Sequence, residues 1–337
     1  MTSKELVLST LEFRNTGSRV PRQMWTLPWA NDRYPDMVEK LMKDFVWDFE
    51  YPEVSFAEPL FSKGDPYDVG EYVDEWGCVF TNIHKGIIGE VKQPLVQESD
   101  WSDTGKIHIP EELLYFDVSE VNASCARKSD KFLIGGCCPR PFEQLQFIRG
   151  TVNLYMDLTN PPEGMLRFIE KMHDFYCRLL TKWAKTDVDA LSMMDDWGSQ
   201  NDLLISPEIW EEIFMPMYRD YINIAHEHGK KMFMHSDGNI IRIIPKLIDL
   251  GLDVINSQIF CIGIDNLAPY KGKITFWGEI DRQSLIPNGT IQDIDAAVQK
   301  VYDTLWDNGG CIAECEFGPG GNPQNIYRVF EKWTSLR

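Results

Sequence analysis

The chain has 337 residues, 43% hydrophobic and 25% charged, and this composition supplies a large core without disulfide staples. Lysine and arginine total 33 against 52 aspartate and glutamate residues, and the net charge of −19 repels nucleic-acid backbones and anionic membrane surfaces. The sequence has no apolar run long enough to span a membrane, and its first residues lack the apolar core of a signal peptide. We therefore expect a cytoplasmic protein with neither nucleic-acid nor membrane partners, whose eight scattered cysteines are reduced.

The predicted elements follow one another in two styles. The chain begins with a short helix over residues 4–13, and a basic turn then leads into a strand near residues 23–26. Residues 48–129 are irregular, which indicates hairpins and long loops, with one further strand of the main sheet within residues 76–83. After residue 131, strand-like apolar runs cover 132–134, 190–194, 232–235, 254–257, 274–277 and 311–315. Stretches of helical period between them cover 141–150, 164–186, 207–228, 240–250 and 291–308.

Boundary residues agree with this alternation. Ser206 before Pro207 is typical of a helix start, and Gly229 is placed to end the same helix directly before the next strand. Strands that alternate with helices favour a parallel sheet, and the count of strands is near eight. We predict an α/β fold, a single (β/α)8 TIM barrel over residues 1–337 with an irregular N-terminal extension and insertions. An open doubly wound sheet is less favoured because no glycine-rich phosphate fingerprint follows the first strand.

Polar residues gather just after the predicted strands. In a barrel these strand ends converge on one mouth, so residues far apart in sequence can share a site. Carboxylates that converge there repel one another unless a cation lies among them, which points to a divalent metal, with Arg282 as a partial alternative. A histidine after a strand can also be structural, and acidic loops are ordinary in a chain of this charge. The residues concerned are Asp195, Asp196, Gln200, His235, Asp237, Asn256, Gln258, Glu279, Asp281, Arg282, Gln283, Glu314, Cys315 and Glu316.

Two further patterns have competing explanations. Trp25, Trp76, Trp197 and Trp277 lie near strand ends and are candidates for a substrate pocket, although aromatic residues are more often core. The pair formed by His226 and His228 is separated by two positions on a predicted helix, so its members point to different faces and do not share a metal.

The stretch from about residue 195 to 333 resembles the uroporphyrinogen decarboxylase superfamily, which includes corrinoid-linked methyltransferases. The remainder of the chain matches only loosely. The matching segments are DDWGSQ (195–200), SPEIW (206–210), HSDG (235–238), GLDVIN (251–256), GEID (278–281), the glycines at 309–310, and PQN (323–325).

The two branches of the superfamily imply different chemistry. Decarboxylases carry an N-terminal Arg-Gln-Ala-Gly-Arg segment that holds the carboxylates of the substrate, and here only Arg22 and Gln23 remain of it. An acidic mouth with few arginines suits a polycarboxylate poorly. The methyltransferase branch binds zinc through His-x-Cys and a later Cys, which resembles His235, Asp237 and either Cys315 or Glu316.

The methyltransferase resemblance implies transfer of a methyl group from a small oxygen- or nitrogen-linked donor to a corrinoid on a small partner protein. Oxygen ligands in place of thiolates leave zinc harder and better able to polarise the donor atom. Asp195, Asp196 and Gln200 would orient the substrate or supply a proton, and Gln258 and Glu279 would lie behind the metal or add a ligand. Members of the superfamily often pair, so the resemblance leaves a homodimer open, but the sequence itself does not decide the oligomeric state.

Two other functions stay open. One is a metal-independent decarboxylase in which Asp195 or Asp196 is the acid while Arg22 and Arg282 bind a carboxylate. The other is a binding protein that has kept the barrel and lost catalysis.

Overall fold

The computed structural model describes residues 1–336, and its centre is a curved sheet of six parallel strands in a mixed α/β architecture. All strands, numbered in chain order, are β1 (Arg22–Thr26), β2 (Phe49–Glu50), β3 (Gly70–Val73), β4 (Val79–Asn82), β5 (Glu90–Val91), β6 (Phe132–Leu133), β7 (Ala190–Met194), β8 (Lys231–Ser236), β9 (Val254–Ser257), β10 (Thr275–Glu279) and β11 (Cys311–Phe317). The six-stranded sheet has the order β1-β11-β10-β9-β8-β7. These strands match the sequence predictions closely.

The parallel register aligns residues across the sheet. Met194, His235, Asn256 and Trp277 lie side by side on four neighbouring strands. Because side chains alternate along a strand, this row shares one face, here called the inner face, while the intervening residues face the surrounding helices. Polar residues at the carboxyl ends of the strands therefore face one another when they lie on the inner face.

A separate parallel pair, β2 with β6, is hydrogen-bonded to both edge strands of the main sheet, β1 and β7. The amide of Asp48 donates to the carbonyl of Arg22 at 3.1 Å, and the amide of Gly135 donates to the carbonyl of Ala190 at 2.8 Å. The pair is thus connected to β1 on one side and to β7 on the other.

The prediction that a strand within residues 76–83 belongs to the main sheet is wrong, because this strand pairs with other neighbours. β4 belongs to an antiparallel three-stranded sheet with β3 and β5, set apart from the main sheet. Antiparallel neighbours can be joined by short turns, so these strands pair locally and form an insertion.

The inner face is apolar towards the amino ends of the strands. Phe233, Val254 and Ile312 pack there in one buried cluster, and Val7 and Leu11 from the first helix cover it. That helix begins with Thr2, whose side chain accepts a hydrogen bond from the amide of Glu5. The amino edge of the sheet is consequently closed by packed side chains.

Helices cover the outer face. The start of the predicted helix 207–228 is confirmed, because the Ser206 hydroxyl accepts from the amide of Ile209 at 3.3 Å, but a π-helical turn interrupts it at Trp210–Phe214. None of the helices in residues 1–336 combines the length and the apolar character needed to cross a membrane. The α-helices are Ser3–Leu11, Pro28–Arg33, Pro35–Asp44, Val118–Arg127, Pro141–Arg149, Thr151–Thr159, Glu163–Ala184, Pro207–Ile209, Met215–Glu227, Ile244–Asp249, Ile259–Ile262, Ile264–Leu267, Leu285–Asn288, Ile291–Leu305 and Pro323–Ser335, and short 3-10 turns are Thr104–Lys106, Glu111–Leu114 and Ala268–Tyr270.

Candidate metal centre

His235 lies on the inner face near the end of β8, and its neighbour on β9 fixes its orientation. The Nδ2 group of Asn256 donates to the carbonyl of Trp277 at 2.9 Å, so the amide oxygen of Asn256 points the other way, towards His235. That oxygen lies 2.6 Å from Nδ1 of His235. Because an amide oxygen only accepts, Nδ1 carries the proton and the lone pair of Nε2 is left available.

Two carboxylates stand in front of that nitrogen. Nε2 of His235 is 3.5 Å from Oδ1 of Asp196 and 3.7 Å from Oδ1 of Asp237. One ligand atom from each of the three residues lies within 4.8 Å of the others. Oδ1 of Asp237 is buried and has no hydrogen-bond partner among residues 1–336. One imidazole nitrogen and two carboxylate oxygens, one of them without a partner, form a donor set suited to a divalent metal.

Arg282 supplies positive charge to the same edge. Its Nη2 bonds to Oδ2 of Asp237, its Nη1 lies 2.9 Å from Oε2 of Glu316, and its Nε lies 3.3 Å from Oε1 of Glu279. Burial lowers the pKa of Arg282, but these three carboxylates outweigh it and raise the pKa above its ordinary value. The guanidinium is therefore a permanent cation whose bonds are taken up by protein carboxylates.

Two glutamates on the inner face, Glu279 and Glu314, have raised pKa values. Burial, reinforced by the charges of Asp237 and Glu316, raises the pKa of Glu279 to about 8 despite the opposing charge of Arg282. Burial raises the pKa of Glu314 well above its ordinary value. With a pKa of about 8, Glu279 is mostly protonated at pH 7 and is available as an acid.

Glu143 joins the centre without having been predicted. It occupies the first turn of the helix Pro141–Arg149, its Oε2 is 3.7 Å from Nη1 of Arg140, and burial raises its pKa, with Asp196 and Asp237 adding to the rise. The preceding strand, β6, is followed by glycines and cysteines rather than by carboxylates. Glu143 comes several residues later, so a search for polar residues directly after strands does not find it.

Two predicted site residues lie on the wrong face. Cys315 and Arg22 are both buried on the outer face, between neighbours that face inwards. The guanidinium of Arg22 lies over the ring of Phe45, and burial, with the charge of Arg19, lowers its pKa to about 10. Glu316 therefore faces the centre and Cys315 does not. Neither belongs to the group of three residues whose ligand atoms lie within 4.8 Å of one another, and the Glu316 carboxylate bonds to Arg282 beside that group.

Two other predicted residues belong to the core. Asp195 is fully buried, accepts from the amides of Phe142 and Glu143 at 3.1 and 2.7 Å, and accepts from the hydroxyl of Tyr218 at 2.6 Å. Trp197 is fully buried, with its ring stacked 4.2 Å from that of Phe142. Neither side chain has a surface open to a substrate, so the geometry gives no support to the catalytic role predicted for Asp195 or to the pocket role predicted for Trp197.

The remaining predicted residues line cavities at this edge. Trp25, Trp277 and His235 border a cavity of about 220 Å³, in which the Trp25 ring lies 5.4 Å from His235 and 5.0 Å from Trp277. Gln200, Gln258, Glu279 and Arg282 border another of about 170 Å³. Trp76 lies apart from both, in a neighbouring aromatic group.

Comparisons with known proteins agree with this architecture. The model of a family described as uroporphyrinogen decarboxylase (URO-D) matches residues 75–335. A solved structure, the methyltransferase from Methanosarcina mazei, aligns with a TM-score of 0.63 at 11% identity, over 100% of this chain and 99% of that one. A xylose isomerase domain protein from Alicyclobacillus acidocaldarius aligns with a TM-score of only 0.35 at 12% identity, over 65% and 80% of the two chains, which is too weak to argue from. A search of curated proteins gave no significant match.

Proposed function

The chain belongs to the uroporphyrinogen decarboxylase family, as its sequence predicted, and on that premise we propose that it is a metal-dependent methyltransferase. It moves a methyl group between a small oxygen- or nitrogen-linked donor and a corrinoid carried by a small partner protein. A divalent metal, zinc in the first instance, is held by Asp196, His235 and Asp237. In this proposal β2 and β6 complete an eight-stranded barrel, and the whole chain forms one domain.

The observation that carries the proposal is the fixed orientation of His235. Its Nδ1 is bound by Asn256, so Nε2 faces Oδ1 of Asp196 and Oδ1 of Asp237. A histidine held in this way by a neighbouring acceptor is the usual arrangement of metal-binding imidazoles. When bound, the metal polarises the donor atom and weakens its bond to the methyl carbon.

The other residues of the proposed site bind the methyl donor and protonate its leaving oxygen or nitrogen. Trp25 and Trp277 form an apolar wall that excludes water beside His235. The methyl carbon leaves its oxygen or nitrogen without the bonding electrons and goes to the cobalt(I) nucleophile of the partner. The donor atom keeps the electron pair and takes up a proton, and in this proposal Glu279, with its raised pKa of about 8, provides it.

The decarboxylase alternative receives less support. Of the two arginines assigned to a substrate carboxylate, Arg22 lies on the outer face and Arg282 is already bonded to Asp237 and Glu316. A carboxylated substrate would have to displace protein carboxylates from Arg282. The structural likeness to the Methanosarcina mazei methyltransferase agrees with our choice at the level of the fold.

Metal analysis of the purified protein tests the centre. We expect bound zinc or another divalent metal in the wild type, its loss in His235→Ala, and its retention in His226→Ala, which removes a histidine bonded to Asp253 at the opposite edge. Equal absence of metal from all three proteins contradicts the metal assignment.

Cobalt methylation then tests the reaction. Cob(I)alamin or a corrinoid protein is mixed with metal-loaded enzyme and a panel of methyl ethers, methylamines and methylthiols. Methylation by an oxygen or nitrogen donor that depends on His235 supports the proposal. Loaded enzyme that is inactive with every donor contradicts methyl transfer and leaves the metal site standing.

A further inference from the structure

A second cavity adjoins the one beside His235. It has a volume of about 410 Å³, against about 220 Å³ for the cavity at His235, and the side chains of Cys138 and Met194 line both. Met194 is also aligned with His235 across β7 and β8. The two spaces are therefore neighbours that share a wall, and a molecule larger than a one-carbon amine or alcohol has room to extend from one to the other.

Five aromatic side chains line this second cavity, which we call the aromatic chamber. Its wall includes Phe56, Trp76, Phe175, Tyr176 and Trp183. The ring of Trp76 stands edge-on to those of Phe175 and Tyr176, at 5.5 and 5.6 Å. Aromatic walls favour a flat ring through stacked and edge-to-face contacts. An apolar cavity of roughly 150 Å³ is enough for benzene, so the chamber holds a substituted ring with space to spare.

One polar pair interrupts these walls and sets the chemistry of the occupant. Nη2 of Arg140 lies 3.4 Å from Oε1 of Glu75, and both residues line the chamber. This separation exceeds the roughly 2.7–2.9 Å of a strong charge-assisted hydrogen bond, so donor and acceptor both keep bonding capacity. A hydroxyl group satisfies the two together, because it can accept from Arg140 and donate to Glu75.

The same pair disfavours an anion. The charge of Arg140 is already opposed by Glu75 and by Glu143, whose Oε2 lies 3.7 Å from Nη1. A carboxylate in the chamber would meet two carboxylates for one guanidinium. A neutral hydroxyl avoids that repulsion.

We propose that the aromatic chamber binds the body of the substrate, and that this body is an uncharged aromatic ring bearing a hydroxyl group. The hydroxyl lies between Arg140 and Glu75, and the methylated end reaches the cavity at His235. The placement of the methyl group rests on the proposed function, whereas the binding of the ring does not.

Binding of simple probes to the purified protein tests the chamber without metal or corrinoid. Phenol, toluene and benzoate are titrated by calorimetry and by the fluorescence of Trp76 and Trp183, which line the chamber. We expect phenol to bind at least about tenfold more tightly than toluene, because it uses the Arg140–Glu75 pair, and benzoate to bind more weakly than phenol. Toluene or benzoate binding as tightly as phenol overturns the proposal.

Three variants locate the binding. Leu179→Trp fills the chamber, and we expect it to lower the affinity for phenol at least about tenfold. Leu166→Trp, at an exposed position of the same helix, is expected to leave the affinity unchanged. Glu75→Gln, at a partly exposed position, is expected to lower the affinity for phenol about tenfold and to leave the affinity for toluene unchanged. Thermal unfolding confirms that each variant is folded, and if Leu179→Trp is not, Glu75→Gln decides. Phenol binding unaffected by Glu75→Gln contradicts the site, whatever the outcome of the cobalt assay.

Discussion

The two edges of the main sheet use the same residue types for different purposes. At the amino edge, Asp253 accepts from Nε2 of His226 at 2.8 Å, from Nζ of Lys231 at 2.9 Å and from the amide of Met232 at 2.9 Å. At the carboxyl edge, Nε2 of His235 stands 3.5 Å or more from its nearest carboxylates. Saturated polar groups stabilise a fold, while unsatisfied ones retain bonding capacity for a ligand. The comparison teaches that the state of the hydrogen bonds, more than the residue type, separates structural from functional positions.

Asp195 offers the largest test, because it lies at the carboxyl edge but is saturated like Asp253. Asp195→Ala removes the acceptor for two backbone amides and for the hydroxyl of Tyr218, and we expect a loss of about 3–5 kcal/mol in the free energy of unfolding. Urea denaturation measures it. Asp196→Ala is the matched control and should cost less than about 1 kcal/mol while abolishing metal binding. Equal stability losses in the two variants would remove the distinction between them.

Asp253 tests the amino edge through pH. Burial raises its pKa, but hydrogen bonds from His226, Met232 and Lys231 outweigh burial and lower the pKa below its ordinary value. Because a lowered folded-state pKa stabilises the protein above the unfolded-state value, this contribution is present at pH 7 and is lost as the pH falls below about 4. We expect Asp253→Asn to destabilise the protein by about 2 kcal/mol at pH 7 and by less at pH 3, measured by urea denaturation. A deficit that is the same at both pH values contradicts this account.

Asn256 tests whether the orientation of His235 matters to the metal. Asn256→Ala frees Nδ1 of His235, and we expect the metal affinity to fall about 10–100-fold in a competitive chelator titration. Ser257→Ala changes the next residue, which is equally buried but faces outwards, and serves as the control. Unchanged affinity in Asn256→Ala would show that orientation of His235 by Asn256 does not matter to the metal.

Cys315 gives the smallest expected effect. Because it lies on the outer face, Cys315→Ala should leave the metal content unchanged and cost about 1 kcal/mol in stability through lost packing. Loss of metal from this variant would contradict the placement of Cys315 on the outer face and of Glu316 on the inner face.

Much of this arrangement could be predicted from sequence, and the failures have a common cause. Apolar runs that end in polar residues located β7 to β11 and brought His235, Asp237 and Asp196 to one edge. Adjacent residues face opposite ways, however, and the phase of each strand end appears only once the register is known. Asp195 was therefore paired with Asp196 as a catalytic residue, and Cys315 was kept beside Glu316 as a ligand.

Short elements failed for another reason. β2 consists of two residues, and β4 has ordinary strand composition, so nothing local told which of them adjoins the main sheet. Long-range pairing decides which strand adjoins the main sheet, and a single sequence does not display such pairing. Glu143 escaped notice because a helix start, and not a strand end, carries it.

Arg282 bears on how the proposed metal centre would behave without its ion. Its guanidinium already pairs with Asp237 and Glu316, so the carboxyl edge has a cation of its own before any ion binds. Small zinc domains behave in the opposite way and unfold when chelated. Under the proposed function, an ion between Asp196, His235 and Asp237 would compete with Arg282 for Asp237, and its removal would return that carboxylate to the arginine. We therefore expect chelation and reloading to be a reversible exchange between two cations on a scaffold that stays folded.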